Sequence, residues 1–323
     1  MTDKSRIRAA DDAGIAEAVA LLRAGGIVAA PTETVYGLAA LAGDASAVAK
    51  IYEAKGRPSF NPLIVHVAAP EAARALVEIG PLAGRLMAAF WPGALTLVLR
   101  MKPGAPVAGL VTAGLPTLAL RCPAHPVMQA LIAGAGPLAA PSANASGRIS
   151  ATTAAHVAGS LGTRVPLILD AGPCRAGVES TIVAVEGERW RLLRPGAVAV
   201  EAIVAVAGQP LTRLAAGESD LSFRGRGVEA PGMLESHYAP VQPVRLNAAS
   251  AGPGEFHIGF GAVAGDANLS ASGDLSEAAA RLFDLLHVAQ ASGRAGIAVA
   301  PVPETGLGLA INDRLRRAAA PRN

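Results

Sequence analysis

Cysteine is nearly absent from this chain: Cys122 and Cys174 stand alone among 323 residues, with no CxxC pair and no histidine pair at ligand spacing nearby. That excludes a disulfide framework and a sequence-local zinc site, and it fits a reducing compartment. Aromatic residues make up only 3% of the chain, too few for the stacking platforms of single-strand nucleic-acid readers. No block of lysine or arginine forms a nucleic-acid arm, and a net charge of +3 favours anionic ligands only weakly. No apolar run reaches the roughly 18 to 20 residues that span a bilayer, and the start, MTDKSRIRAADDAG, lacks the apolar core of a signal peptide. The expectation is a soluble, cytoplasmic protein. No GxxxxGK[ST] occurs, so any nucleotide is held without a P-loop.

What is present points to a folded, multi-element chain. Half of it is apolar (51%), and 36 glycines and 24 prolines imply many short elements joined by tight turns. The length makes two domains the default. A helix carrying Ile15, Val19 and Leu22 ends at Gly25-Gly26, and IVAA follows as a short buried strand. A second helix with Val48, Ile51 and Tyr52 ends at Lys55-Gly56, and LIVHV reads as a strand buried on both faces. Further strands are expected at ALTLVLR (94–100), TLALR (117–121), PLAA (137–140) and VPLILD (165–170), with a hairpin at STIVAVEGERWRLLR and a closing helix over 198–207.

This alternation argues a mixed α/β sheet in a first domain, 1–207. Periodicity is lost over 208–240, a segment too long for an ordinary connection and read as a linker or lid. A smaller α/β domain, 241–323, offers strands at VRLN, EFHIGFG and GIAVAPV and a helix around 276–290. Its GFGAVA (259–264) is a loosened dinucleotide fingerprint, discounted because no helix follows at once.

Polar clusters follow the strands, where open α/β sheets place ligands. PTETVYGL follows IVAA, Arg121 ends TLALR, PSANASG follows PLAA, ESTIV opens a strand and RPGAV follows WRLLR. Singly, each has an ordinary reading. Lys55-Gly56 is a helix end with a dipole-complementing cation, Ser142 or Asn144 a turn former or cap, Thr181 a strand residue, Arg194-Pro195-Gly196 a turn, and His66 a core histidine.

Taken in order, PTETVYGL, KGR (55–57), SFNPLIVHV, TLALR, PSANASG, ESTIV, RPGAV and HYAP resemble the threonylcarbamoyl-AMP synthases, the Sua5/YrdC family. APVPETGLGLAINDRLRRAA resembles the extra C-terminal domain of its two-domain branch. Ala171 in DAGPC departs from the family's expected glycine and bears on local loop geometry. The resemblance implies a YrdC-like twisted mixed sheet with a smaller Rossmann-like C-terminal domain. It implies an adenylylation: threonine's amine and CO2 or bicarbonate give a carbamate, whose oxygen attacks the α-phosphate of ATP and expels pyrophosphate. The product would supply a separate transferase for the t6A modification of ANN-decoding tRNAs.

By the same resemblance Arg57, Asn61, Thr117, Asn144, Thr152, Arg194 and Tyr238 correspond to ATP-binding positions, and Thr34, His66, Arg121, Ser142 and Ser180 to positions around L-threonine. Lys55 and Arg57 are the candidate catalytic cations, with Arg194 beside them. Arg57 and Arg194 are expected on solvent-facing element ends. Arg121 is the candidate fork for the substrate carboxylate, because a guanidinium offers two parallel donors. Magnesium is expected with the triphosphate, with no protein ligand assigned. In the linker, Gly225, Gly227 and Gly232 are candidate hinges, and His237 and Tyr238 candidate polar tips that fold over the cleft, against the alternative of a plain strap. Weak tRNA or RNA binding is expected as a possible partner contact. The rival classes are a double-stranded RNA or tRNA-binding module without chemistry, which strong salt-dependent RNA binding without ATP turnover would favour, and a hydrogenase-maturation carbamoyl-transfer enzyme, which needs an acylphosphatase domain and cysteine-rich zinc motifs that two lone cysteines do not provide.

Overall fold

The computed structural model describes residues 6–208, 210, 230–231 and 237–321. In chain order the first unit contains β1 (Ile7–Ala9), α1 (Asp12–Arg23), β2 (Val28–Ala30), β3 (Gly37–Leu41), α2 (Ala45–Lys55), β4 (Ile64–His66), α3 (Pro70–Ala73) and α4 (Pro81–Phe90). There follow β5 (Leu95–Arg100), α5 (Gly109–Thr112), β6 (Thr117–Arg121), α6 (Pro126–Ala135), β7 (Leu138–Ala139), α7 (Ala154–Leu161), β8 (Ile168–Asp170), the hairpin β9 (Thr181–Glu186) and β10 (Arg189–Arg194), and α8 (Val200–Ala207). The second unit contains β11 (Val244–Arg245), β12 (Glu255–Gly259), β13 (Ala267–Asn268), α9 (Leu275–Ala291), β14 (Gly296–Val299) and α10 (Gly308–Ala319).

The first unit is one mixed sheet in the order β1-β8-β2-β3-β7-β4-β6-β5-β9-β10. The second is a parallel sheet, β11-β14-β12-β13. Every strand expected from the sequence is present, and TLALR is β6 residue for residue. The strands β1, β3 and β13 and the helix α10 were not anticipated. β3 lies inside the motif text GLAAL, whose small residues give no alternation, and α10 interrupts its apolar stripe with an arginine. GFGAVA leads into a turn and β13, not a helix.

Local chemistry explains the helix ends. Asp11 and Asp44 cap α1 and α2 by accepting backbone N–H bonds, and α2 closes at Gly56 just after Lys55.

Packing divides the sheet's faces unequally. One face carries Leu38, Val65, Leu97, Leu118, Leu120 and Val183 into the main core with α2, α4 and α7. On the other face, α1 and α6 cover Val28, Ala30, Ala39 and Leu138. Beyond them that face continues as Ile64, Val98, Ala119, Ile182 and Ala184, and the linker residue Ala230 packs there. The second unit does not form an isolated core: Val35, Ile149 and Val178 of the first unit and Tyr238 of the linker cluster with Phe256, Leu282, Phe283, Leu286 and Ile311. The backbones meet closely at Gly177, where a Cβ would lie 2.4 Å from the Ala279 carbonyl oxygen on α9.

Candidate active site

Strand alternation decides which side chains reach the half-face that the helices leave open. Val65 and Leu120 point into the main core, so His66 and Arg121 point the other way. Parallel pairing of β4 and β6 sets His66 opposite Arg121. Thr34, His66, Arg121, Ser142, Ser180, Arg57, Arg194 and Tyr238 all line one cavity, and Glu179 and His237 join them. The enclosed space is small, about 40 Å³.

Arg57 turns back from the end of α2: its Nη2 donates to Asn61 Oδ1 (2.6 Å) and to the Pro62 carbonyl (2.8 Å). Burial pushes its pKa down to about 10. Arg194 donates through Nη1 to the Pro231 carbonyl (3.1 Å) and through Nη2 to the Ser180 carbonyl (3.0 Å), while its buried Nε has no partner. Gly196, two residues on, is required by close approach, since a Cβ there would lie 2.3 Å from the Thr181 nitrogen. The expectation that Arg57 and Arg194 face solvent is therefore corrected. They are 9% and 4% exposed, because loop and strand-end carbonyls without ladder partners draw both guanidinium groups inward.

Lys55 is buried behind the wall, not on it. Its Nζ donates to the carbonyls of Ser142 (2.5 Å) and Asn144 (2.5 Å), tying the end of α2 to the PSANASG loop. Burial, followed by repulsion from Arg57 and Arg164, holds its pKa well down. The helix-end reading of Lys55-Gly56 is right for the backbone, but the cation points into the protein.

Arg121 donates through Nε to the Gly93 carbonyl (3.1 Å) and through Nη1 to Thr34 Oγ1 (2.9 Å). Its Nη2 lies 2.7 Å from Glu33 Oε1, an ionic contact off the hydrogen-bond axis. The fork thus already has a protein carboxylate beside it. Burial would raise the Glu33 pKa, but Arg121 more than offsets this. His66 is pushed down to about 3 by burial first and Arg121 second, so its ring is neutral.

The remaining candidates do not line the cavity. Asn61 and Asn144 are buried, each with one unpartnered side-chain atom, Nδ2 and Oδ1 respectively. Thr152 places its Oγ1 3.2 Å from His156 Nδ1. Thr117 shares the sheet face of Ala119 and Arg121 by alternation, but it lines a separate cavity of about 520 Å³ with Glu78, Arg100 and Glu186. Near Ala171, Gly172 supplies the left-handed turn, and Tyr36 donates to its carbonyl (2.9 Å).

Of the linker, Pro231, His237 and Tyr238 sit on the cavity, whereas Gly225, Gly227 and Gly232 lie outside the described residues. Tyr238 adopts φ 62°, unusual for a non-glycine residue, and its ring packs on Phe283 of α9. Sequence reasoning missed Glu33, Glu179 and Arg314. The first two were legible only as acidic letters inside quoted motifs. Arg314 had a fainter signal: a lone charge at helical spacing among Ala310, Ile311, Leu315 and Ala318.

A family model described as "Telomere recombination" (Sua5_yciO_yrdC) matches residues 20–196, and one described as "Threonylcarbamoyl-AMP synthase, C-terminal domain" matches 198–320. A threonylcarbamoyl-AMP synthase of Bacillus subtilis is 43% identical across 97% of this chain and 94% of its own length. One of Pyrococcus abyssi is 39% identical across 94% and 93%. The crystal structure of P. abyssi Sua5 complexed with L-threonine has a TM-score of 0.85 at 38% identity, covering 97% of this chain and 96% of that one. Escherichia coli YciO, at 21% identity, 56% coverage of this chain and 88% of its own, and a TM-score of 0.50, shares the fold alone. With both models matched end to end along the motif order already described, the chain belongs to the Sua5/YrdC family in its two-part form.

Proposed function

We propose that the chain is an L-threonylcarbamoyladenylate synthase, making threonylcarbamoyl-AMP and pyrophosphate from L-threonine, CO2 or bicarbonate, and ATP. The observation that carries this reading is the clustering of Arg57, Arg121 and Arg194 on one enclosed cavity, with small hydroxyl residues between them, in a chain 43% identical to a threonylcarbamoyl-AMP synthase. Arg57 and Arg194, held by neutral carbonyl and amide oxygens, leave an excess of positive charge that a polyphosphate neutralises.

The chemistry needs positioning more than a protein nucleophile. Threonine's amine takes up CO2 and releases a proton; a carbamate oxygen then bonds to the α-phosphorus as the bond to the pyrophosphate oxygen breaks. Arg57 and Arg194 balance charge on the phosphates. Arg121 receives the threonine carboxylate beside Glu33, and Thr34, Ser142, Ser180 and neutral His66 orient the amino acid. Lys55 serves by shaping the PSANASG loop. Asn61 and Asn144 bring their unpartnered amide atoms, and Thr152 its hydroxyl, to the nucleotide once the cavity widens, whereas Thr117, on its separate cavity, is left out of this reading.

A space of about 40 Å³ is far below the roughly 300 to 1,000 Å³ of ligand pockets, so the wall around Arg194, including Pro231 whose carbonyl it binds, shifts when a nucleotide enters. Among the described residues no group of three His, Cys, Asp or Glu side chains is placed to hold a metal ion. Magnesium is proposed to enter with the triphosphate as its counter-ion. The product passes to a downstream transferase acting on tRNA in the cytoplasm. No helix among the described residues is long and apolar enough to cross a membrane. The RNA-binding alternative is disfavoured because the key cations are enclosed instead of spread over a surface.

The test is pyrophosphate release from the purified chain with ATP, magnesium, bicarbonate and one amino acid at a time. Release should require L-threonine and bicarbonate together and no tRNA. Equal release without threonine, or release only with tRNA, overturns the reading.

A further inference from the structure

The second unit reaches the site through Phe283, which packs on Tyr238, and through the charged side chain of Arg314. Arg314 on α10 is fully buried, and its Nε lies 2.8 Å from Glu179 Oε2. Its Nη1 donates to the Pro195 carbonyl (2.6 Å) and to Asp313 Oδ2 (2.8 Å), and its guanidinium carbon stands 5.3 Å from the Tyr238 ring centroid. Glu179 lines the cavity, and its other oxygen accepts from Ser150 Oγ at 2.5 Å. Arg314 therefore grips both flanks of Arg194: Pro195, the next residue in the chain, and Glu179, the neighbour of the Ser180 carbonyl that Arg194 binds.

We propose that Arg314 is a positioning residue for the nucleotide site, satisfying the Glu179 carboxylate so that the Arg194 guanidinium stays on the cavity wall. A buried carboxylate that loses its partner is left with an uncompensated charge, and the groups around it rearrange to supply one. Burial alone would raise the Glu179 pKa; Arg314 first and Arg194 second hold it down instead. With Arg314 gone, Arg194 is the cation left to answer Glu179, and turning to it withdraws the guanidinium from the phosphates. On this account the C-terminal unit is part of the ATP site rather than an appended module.

The inference rests on the ATP-dependent reading above, and binding of ATP alone separates the two. Calorimetric titration of ATP and magnesium into the full chain is compared with Arg314→Met, Arg314→Lys and the double variant Glu179→Gln plus Arg314→Met. Arg314→Met should weaken ATP about ten- to a hundredfold, the scale of one lost hydrogen bond to a charged group. The KM for threonine should change far less. Arg314→Lys should recover part of the loss, and the double variant most of it, because a neutral amide in place of the Glu179 carboxylate no longer draws Arg194 away.

A residue that merely fastens the two units would lower the melting temperature without moving ATP affinity, and Glu179→Gln would give no rescue; that result overturns the proposal. Should Arg314→Met not fold, Arg314→Lys and the double variant decide. A folded double variant that does not bind ATP overturns it equally. A wild-type chain that binds no ATP overturns the functional reading along with it.

Discussion

Replacing Lys55 with methionine keeps a long, flexible side chain but removes the ammonium that joins α2 to the PSANASG loop. Two charge-assisted hydrogen bonds are lost, to the carbonyls of Ser142 and Asn144. At about 1.5 to 3 kcal/mol each, the gross loss is about 3 to 6 kcal/mol. Part of it is returned, because the ammonium is buried beside Arg57 and its depressed pKa shows that the folded state already disfavours the charge. A net destabilisation of about 2 to 4 kcal/mol, at about 2 to 4 °C per kcal/mol for a unit of this size, gives a fall in melting temperature on the order of 10 °C. The assay pairs scanning calorimetry with pyrophosphate release below the new melting point. The loosened loop carries Ser142 on the cavity wall, so the KM for substrates should rise with the thermal loss. An unchanged melting temperature with abolished turnover would refute the loop-holding account and restore Lys55 as a direct catalytic cation.

Two further outcomes follow from charge and geometry. Arg121→Lys cannot hold the Gly93 carbonyl, Thr34 and Glu33 while also receiving a carboxylate, so the threonine requirement should rise while that for ATP stays nearly constant in initial-rate measurements; the reverse pattern shows that the carboxylate fork lies elsewhere. His156 of α7 and His287 of α9 stack at 3.9 Å between the two units, and burial, then the neighbouring His287, holds His156 down to about 4. Between that value and the ordinary histidine pKa of about 6.5 the unfolded chain binds more protons, so stability should fall as pH drops from 6.5 toward 4. Urea denaturation at pH 7 and pH 5 should show this loss, and His156→Asn should reduce it; Asp284 Oδ1 lies 3.6 Å from His156 Nε2. An identical pH slope in the variant removes the stacked pair as its source.

The strands and helix ends were readable because their causes are local. Alternation, a capping aspartate or a glycine after a last-turn cation acts over a few residues, and TLALR, the 180–194 hairpin and the Gly56 stop needed nothing from elsewhere in the chain. β3 was missed because Gly37 to Ala40 are all buried and mostly small, which leaves no periodicity to read. The helix α10 was missed because a buried arginine breaks the stripe that marks a helix.

The sequence by itself determined the chemistry available: the motif order, the arginines set among small hydroxyl residues, and a two-part α/β organisation without a P-loop. Only the tertiary structure decided where that chemistry points. Whether Lys55 meets solvent or the Ser142 carbonyl, 87 residues away, depends on the fold that packs α2 against that loop. The pairing of Arg121 with Glu33 and of Arg314 with Glu179, 135 residues apart, likewise depends on sheet order and on the close fit of the second unit. Local patterns carry no information over such separations, and a buried charge takes whichever partner the fold delivers, because leaving it unpaired in a low-dielectric interior costs more than any local preference.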